Sequence, residues 1–323
     1  MALTGSGSVK QTDLRALADD LLLPVHFLEE IHTLLKDKKQ VIFQGPPGTG
    51  KTYVARALAK HLAGKEERVT LVQFHPSYAY EDFVQGFRPT LRGGQPGFEL
   101  RDGPLLRAAE RARGEPGSDH FLVIDEINRG NIAKVFGEFY FLLEYRDSEM
   151  HLQYSDEPFS LPANLHIIGT MNTADRSIAL VDLALRRRFY FVEFHPDEEP
   201  VKGVLRRWLG ANGLDHMAWV ADAVKRANEK PQLKQDRHAA IGPSYFMKPG
   251  LDEAAVERIW RHSVLPYIEE RLFVEGEGLA EFHLDALRRS STGGREGDRN
   301  GPGAADDDRD VGGGGESAPV NDA

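Results

Sequence analysis

An α/β fold with a parallel five-stranded sheet, followed by a smaller helical domain, is predicted by three observations. Five short apolar segments, residues 41–43, 69–74, 121–124, 165–170 and 189–194, alternate with stretches of helical periodicity, and parallel neighbours require such crossover connections. The first segment runs directly into Gly45-Pro46-Pro47-Gly48-Thr49-Gly50-Lys51-Thr52, which opens a helix-like stretch over residues 53–62. Beyond Pro196 strand-like segments cease, and helical spacing takes over at residues 201–209, 217–228, 253–272 and 279–287.

Taken in order, residues 1–9 read as a flexible leader, and 13–22 and 25–35 as helices separated at Pro24. The glycine-rich loop between a strand and a helix leaves several backbone N–H groups aimed at one point, where an anion satisfies them. Lys51 then supplies a cation for the outer phosphates of a nucleoside triphosphate and Thr52 a hydroxyl for Mg2+. Residues 86–100 and 147–161 each place a polar or glycine-rich turn between extended stretches, the pattern of β-hairpins inserted into the core. The expected division is a large nucleotide-binding α/β domain over 10–196, a helical lid domain over 197–289, and a tail over 290–323.

The strand at residues 121–124 ends in Asp125 and Glu126, 73 residues beyond Thr52. In enzymes with such loops a strand next to the loop strand carries an aspartate that holds Mg2+, and a following glutamate orients the attacking water. Asp125 is therefore expected at the metal and Glu126 at the water. The strand at 165–170 leads into Met171-Asn172-Thr173-Ala174-Asp175-Arg176-Ser177, which places Asn172 near the γ-phosphate as a second polar group for that water. A rival reading takes Asn172 to Asp175 as a guanine-reading element, but its usual lysine is missing. Arg186, Arg187 and Arg188 precede the last strand. Such a cluster is a solvated face, a nucleic-acid patch, or a source of an arginine for a neighbouring subunit's γ-phosphate, and we favour the last for Arg187 or Arg188.

Composition narrows the class. An apolar fraction of 41% and a charged fraction of 28% are those of an ordinary globular protein. No apolar run reaches the ~18 residues of a membrane span, and no signal-peptide core opens the chain. The absence of cysteine excludes disulfides and cysteine-ligated metals and fits the cytoplasm. The net charge of −10 disfavours a nucleic-acid binder only until it is located: from 293 to 323 eight acidic residues face three basic ones, half of the excess. That glycine-rich, acidic tail buries too little apolar surface to offset its ordering entropy and is expected to be disordered.

In sequence order, GPPGTGKT, LVQFHPSYAYEDFVQGFRP, LVIDEINRGNIAKVFGE, GTMNTADRS and ALRRRF resemble the AAA+ module of the McrB family, the motor subunits of McrBC modified-DNA restriction systems. The likeness is close over residues 20–195 and looser to about 285. It implies an AAA+ P-loop NTPase fold, homo-hexameric rings with GTP or ATP and Mg2+ at subunit interfaces, an McrC-like nuclease partner, and DNA reached through the assembled complex. It also implies Asn172 as the sensor residue, with Arg187 and Arg188 in the arginine-finger region and Asp175 and Arg176 in interface or partner-sensing contacts. His75 and the YAYEDF segment match the family too, but Tyr78, Tyr80 and Phe83 have the spacing of packing residues. Ala240 to Phe246 resembles a lid element of the family, with Pro243 in place of its histidine. Only about 40 residues precede Val41, so the family's modified-base-reading domain is not expected within this sequence: either the sequence is an excised motor module or DNA recognition resides in another subunit. The rival function is a MoxR-like chaperone ATPase acting on protein without DNA; a non-hydrolysing scaffold is disfavoured by Glu126.

Overall fold

The structure, a computed structural model, describes residues 11–174, 183–272 and 277–289. The expected leader and acidic tail lie outside the described residues, as do Asp175 and Arg176. Helices Gln11–Leu21 and Val25–Lys38 open the fold, and the second buries Phe27, Leu28, Ile31 and Leu35. It stops at Lys39, whose left-handed backbone (φ 67°) lets its N–H close on the Leu35 carbonyl.

The chain then enters β1 (Gln40–Gly45) and, after the helix Lys51–Ala63, β2 (Val69–Gln73). β3 (Gln85–Arg92) and β4 (Gln95–Asp102) form one antiparallel hairpin about the Gly93-Gly94 turn. β5 (His120–Asp125) follows the helix Pro104–Gly114, and β6 (Met150–Leu152) with β7 (Ser155–Phe159) make a second hairpin. β8 (Leu165–Asn172) and β9 (Tyr190–Glu193) complete the strands. The central sheet is parallel and five-stranded, in the order β2-β5-β8-β1-β9. The acidic strand β5 is therefore not next to β1, as the sequence led us to expect, because β8 lies between them.

Both faces of the sheet are covered, which is why its strands read as continuous apolar runs. Val41 and Phe43 face the opening helices, Val54 and Leu58, while Ile42 between them packs with Leu122, Ile124 and Phe136 on the other side. Tyr80 and Phe83 are buried around Phe74 and Phe136, in keeping with packing positions. The two hairpins are tied together: the Tyr154 hydroxyl donates to Glu81 Oε1 at 2.8 Å and its ring meets Phe87 edge-on at 5.6 Å.

The helices after β9 have their own core, centred on Phe246, Trp260, Ile268 and Phe282. Residues 253–272 are continuous, as their periodicity predicts, but Trp260–Val264 widens into a π-helical turn. The single helix expected over 279–287 is instead two, Glu277–Ala280 and Leu284–Arg289. The break turns the Phe282 ring inward and presents its carbonyl to Trp260 Nε1–H at 2.8 Å. Among the described residues no helix is long and apolar enough to cross a membrane. Trp260→Ala should lower unfolding free energy by about 3–5 kcal/mol in urea titrations, since it leaves a cavity and orphans the Phe282 carbonyl; a loss below about 1 kcal/mol contradicts this packing.

Candidate nucleotide site

The parallel register brings the strand ends together. Gly45 is level with Asn172 across the β1 and β8 pair, and Ile124 is level with Gly169 across β5 and β8. Gly45, Asp125 and Asn172, from three separated stretches of sequence, thus leave the same edge of the sheet. At Gly45 the backbone (φ 155°) passes so close to β9 that an added Cβ would lie 2.1 Å from the Phe194 carbonyl oxygen, so only glycine fits.

The loop from Gly45 to Thr52 ends at the helix Lys51–Ala63, whose N-cap Gly50 provides no side-chain hydrogen bond. The first-turn N–H groups of that helix are left for a ligand, and an anion is the natural one. Lys51 is buried and holds its ammonium against the Gly45 and Pro46 carbonyls at 3.0 and 2.7 Å, with Thr49 Oγ1 at 3.3 Å. Burial pulls its pKa down to about 8, against the opposing pull of the Glu126 and Asp125 carboxylates. A phosphate would replace those carbonyls with full negative charge.

Asp125 Oδ1 accepts from two hydroxyls, Thr52 Oγ1 at 2.6 Å and Thr170 Oγ1 at 2.5 Å. Thr170 in turn accepts from the Glu126 N–H at 3.3 Å, so it joins the two acidic residues through β8. Glu126 adopts a left-handed backbone (φ 53°), a conformation costing a non-glycine residue about 1–2 kcal/mol. That turn aims its carboxylate at Asn172, whose Nδ2 donates to Glu126 Oε1, while Arg129 Nε lies 3.5 Å from Oε2. Burial raises the Glu126 pKa, Arg129 offsets part of this, and Asp125 adds to it. Asn128 donates to the Asn172 carbonyl at 3.2 Å, and its own buried Oδ1, like Thr173 Oγ1, has no hydrogen-bond partner. Orphaned polar atoms at the mouth of the loop are what a polar ligand or its water would satisfy.

A hydroxyl and a carboxylate, Thr52 and Asp125, are hard oxygen donors of the kind Mg2+ takes. Among the described residues no cluster of three or more His, Cys, Asp or Glu side chains could hold a metal ion. The sequence reading did not find Thr170, Asn128 or Arg129. The DEINR string contained the last two, but nothing local marked them off from packing residues.

The lid element reaches this site as well. Ser244 N–H donates to the Gly48 carbonyl at 2.9 Å, and the Tyr245 ring lies against Gly48. Gly242 is so close that an added Cβ would stand 2.2 Å from the Gly48 carbonyl carbon and 2.5 Å from the Pro47 oxygen. The helical part therefore rests on the phosphate loop through backbone, with Pro243 between the two contacts.

The arginines are not here. Helix Leu183–Arg188 ends beside the start of β1: Lys38 Nζ and Gln40 Nε2 donate to the Arg187 and Arg188 carbonyls, each at 2.8 Å. The phosphate loop lies at the other end of β1, roughly 16 Å along the strand, so Arg187 and Arg188 do not meet this chain's own site. The two also differ. Arg188 is packed over the Tyr140 ring at 4.5 Å and pairs with Glu144 at 2.9 Å, whereas the Arg187 side chain is 78% exposed and stands 3.7 Å from Glu144.

Gly242→Ala should therefore destabilise the protein by about 1–3 kcal/mol in urea titrations, because the overlap is with backbone. Gly114→Ala, where a Cβ meets nothing within 4 Å, should stay within about 0.5 kcal/mol. Equal effects would contradict the lid contact.

Residues 40–189 match the AAA domain of the dynein-related subfamily, and residues 220–279 match the McrB alpha-helical lid domain. The type IV methyl-directed restriction enzyme EcoKMcrB subunit of Escherichia coli is 38% identical over 275 residues, 79% of this chain; the chain spans 58% of that protein's length. The type II restriction enzyme BsuMI component YdiS of Bacillus subtilis is 26% identical over 300 residues, 79% of this chain and 86% of that protein. The chain belongs to the AAA+ family, as a nucleoside-triphosphatase module of the McrB type.

Proposed function

We propose that this chain is the nucleotide-hydrolysing motor of a DNA restriction or phage-defence system, working as a homo-hexamer with a separate nuclease subunit. One observation carries the hydrolytic part: two polar pairs, Thr52 with Asp125 and Asn172 with Glu126, converge on the free N–H groups of the phosphate loop. The loop residues Gly45 to Thr52 bind the phosphates. Lys51 leaves its carbonyl contacts for the phosphate oxygens, and Thr52 and Asp125 hold Mg2+, which supplies charge neutralisation when bound. Glu126 accepts the proton of the attacking water, and a buried carboxylate with a raised pKa is the stronger base. Asn172 keeps that carboxylate oriented and donates to the water once substrate is present.

The arginine comes from the next subunit. Its distance from the chain's own loop favours action in trans, and the exposure of Arg187 makes it the finger rather than Arg188. Restriction as the purpose rests on the two relatives, whose names assign them to restriction enzymes. Translocation of DNA and a nuclease partner follow from the resemblance to the McrB family, as does our preference for GTP over ATP. A cytoplasmic setting fits a chain without cysteine.

Phosphate release from GTP and ATP, measured side by side, tests the assignments together. Glu126→Gln should lower kcat by about 10² to 10⁴ and Arg187→Ala by about 10³ or more, each with nucleotide affinity retained. Wild-type turnover in Glu126→Gln removes the base, and wild-type turnover in Arg187→Ala removes the finger.

A further inference from the structure

We infer that Gln40 and Arg146 form a buried bracket that positions Arg187 for its work on a neighbouring subunit, an inference that rests on the trans role proposed above. The helix Leu183–Arg188 is only six residues long, so its last carbonyls depend on groups from beyond the helix. The Phe189 N–H takes the Leu185 carbonyl at 3.1 Å. The last two carbonyls are instead capped from across the fold, Arg187 O by Lys38 Nζ and Arg188 O by Gln40 Nε2.

Gln40 is 2% exposed, and both ends of its side-chain amide are hydrogen-bonded. Nε2 donates to the Leu143 carbonyl as well as to Arg188 O, both at 2.8 Å, and Oε1 accepts from Arg146 Nη2 at 2.8 Å. Arg146 Nη1 then donates to the Pro162 and Leu165 carbonyls at 3.1 and 2.8 Å. Burying an amide and a guanidinium where leucine would serve the core is unfavourable unless the hydrogen bonds accomplish something packing cannot. Here they fix the end of the arginine helix to the start of β1, to the head of β8 and to the segment carrying Glu144. Glu144 pins the Arg188 side chain at 2.9 Å, which leaves Arg187 as the arm that extends from a fixed base. A reacting geometry misplaced by about 1 Å loses on the order of 10²-fold in rate, so the base of that arm matters to kcat.

Gln40 and Arg146 are thus positioning residues, and mixed oligomers distinguish positioning from mere support of the fold. Gln40→Leu keeps the volume and removes the hydrogen bonds. It should lower kcat about ten- to a hundredfold, with KM and nucleotide affinity near wild type. Adding Glu126→Gln chains, which have a sound arginine but no base, should raise turnover per Gln40→Leu chain above that of either variant alone. A kcat within about twofold of wild type overturns the inference. So does a loss that mixing fails to restore while Arg187→Ala is restored by the same mixing. If mixing restores neither, the trans role itself falls and the bracket with it. Should Gln40→Leu not fold, Lys38→Ala at the surface releases the Arg187 carbonyl and also removes the ammonium from over the Tyr190 ring, 4.3 Å from its centroid; it should lower kcat roughly threefold or more with the same restoration, and an unchanged kcat overturns the inference.

Discussion

The hydrogen bond from Thr52 Oγ1 to Asp125 Oδ1 is the contact on which the rest of the site depends. It joins the first turn of the phosphate-loop helix, which follows β1, to the end of β5, a strand that is not a neighbour of β1 in the sheet. For it to form, β1 and β5 must end at the same level with β8 between them, and β8 must offer a short polar side chain at that level. Thr170 is that side chain, bonded to the same carboxylate oxygen. Gly169 before it lies so close to Ile42 and Ile127 that an added Cβ would stand 3.1 and 3.2 Å from them, so the strand fits its place without a side chain there. The cores on both faces fix this register, since a slip of one residue would carry the side chains packed in one core into the other.

Strain and charge are then concentrated at the strand ends. Glu126 is held in a left-handed turn, the Lys51 ammonium is stored on carbonyls of its own loop, and buried oxygens of Asn128 and Thr173 lack partners. Each of these is tolerated because rigid strands over-determine the position, and the ammonium and the orphaned oxygens are groups that an anionic, water-bearing ligand would satisfy. The lid touches the same loop through Gly242, Ser244 and Tyr245, so the orientation of the helical part and the shape of the phosphate loop are coupled through backbone contacts.

What the sequence made legible was local. The phosphate loop is contiguous with its strand and helix, and the hairpins carry their turn residues with them, so Gly45 to Thr52 and both insertions could be read directly. The pair Asp125 and Glu126 was legible as an apolar strand ending in carboxylates. Strand order was not, because adjacency is set by the packing of distant segments; β8 was therefore missed as the strand between β1 and β5, and Thr170 with it. The split of residues 279–287 coincides with tertiary contacts, the buried Phe282 ring and the Trp260 hydrogen bond to its carbonyl, which local periodicity does not report. Arg187 and Arg188 are indistinguishable in sequence, and only the burial of Arg188 against Tyr140 and Glu144 separates them. Ala240 to Phe246 was legible as a lid element through its resemblance to the family, but its contact with Gly48 was not, because that depends on the packing of distant segments.

If the loop, the acidic strand and Asn172 hold the nucleotide while a neighbour's arginine completes the site, hydrolysis is a property of the assembly. Turnover per chain, measured against chain concentration with the molecular mass followed in the same samples, tests that most directly. Turnover per chain is predicted to rise as oligomers form and to fall on dilution toward the monomer. Turnover per chain that stays constant while the molecules are monomers would contradict it.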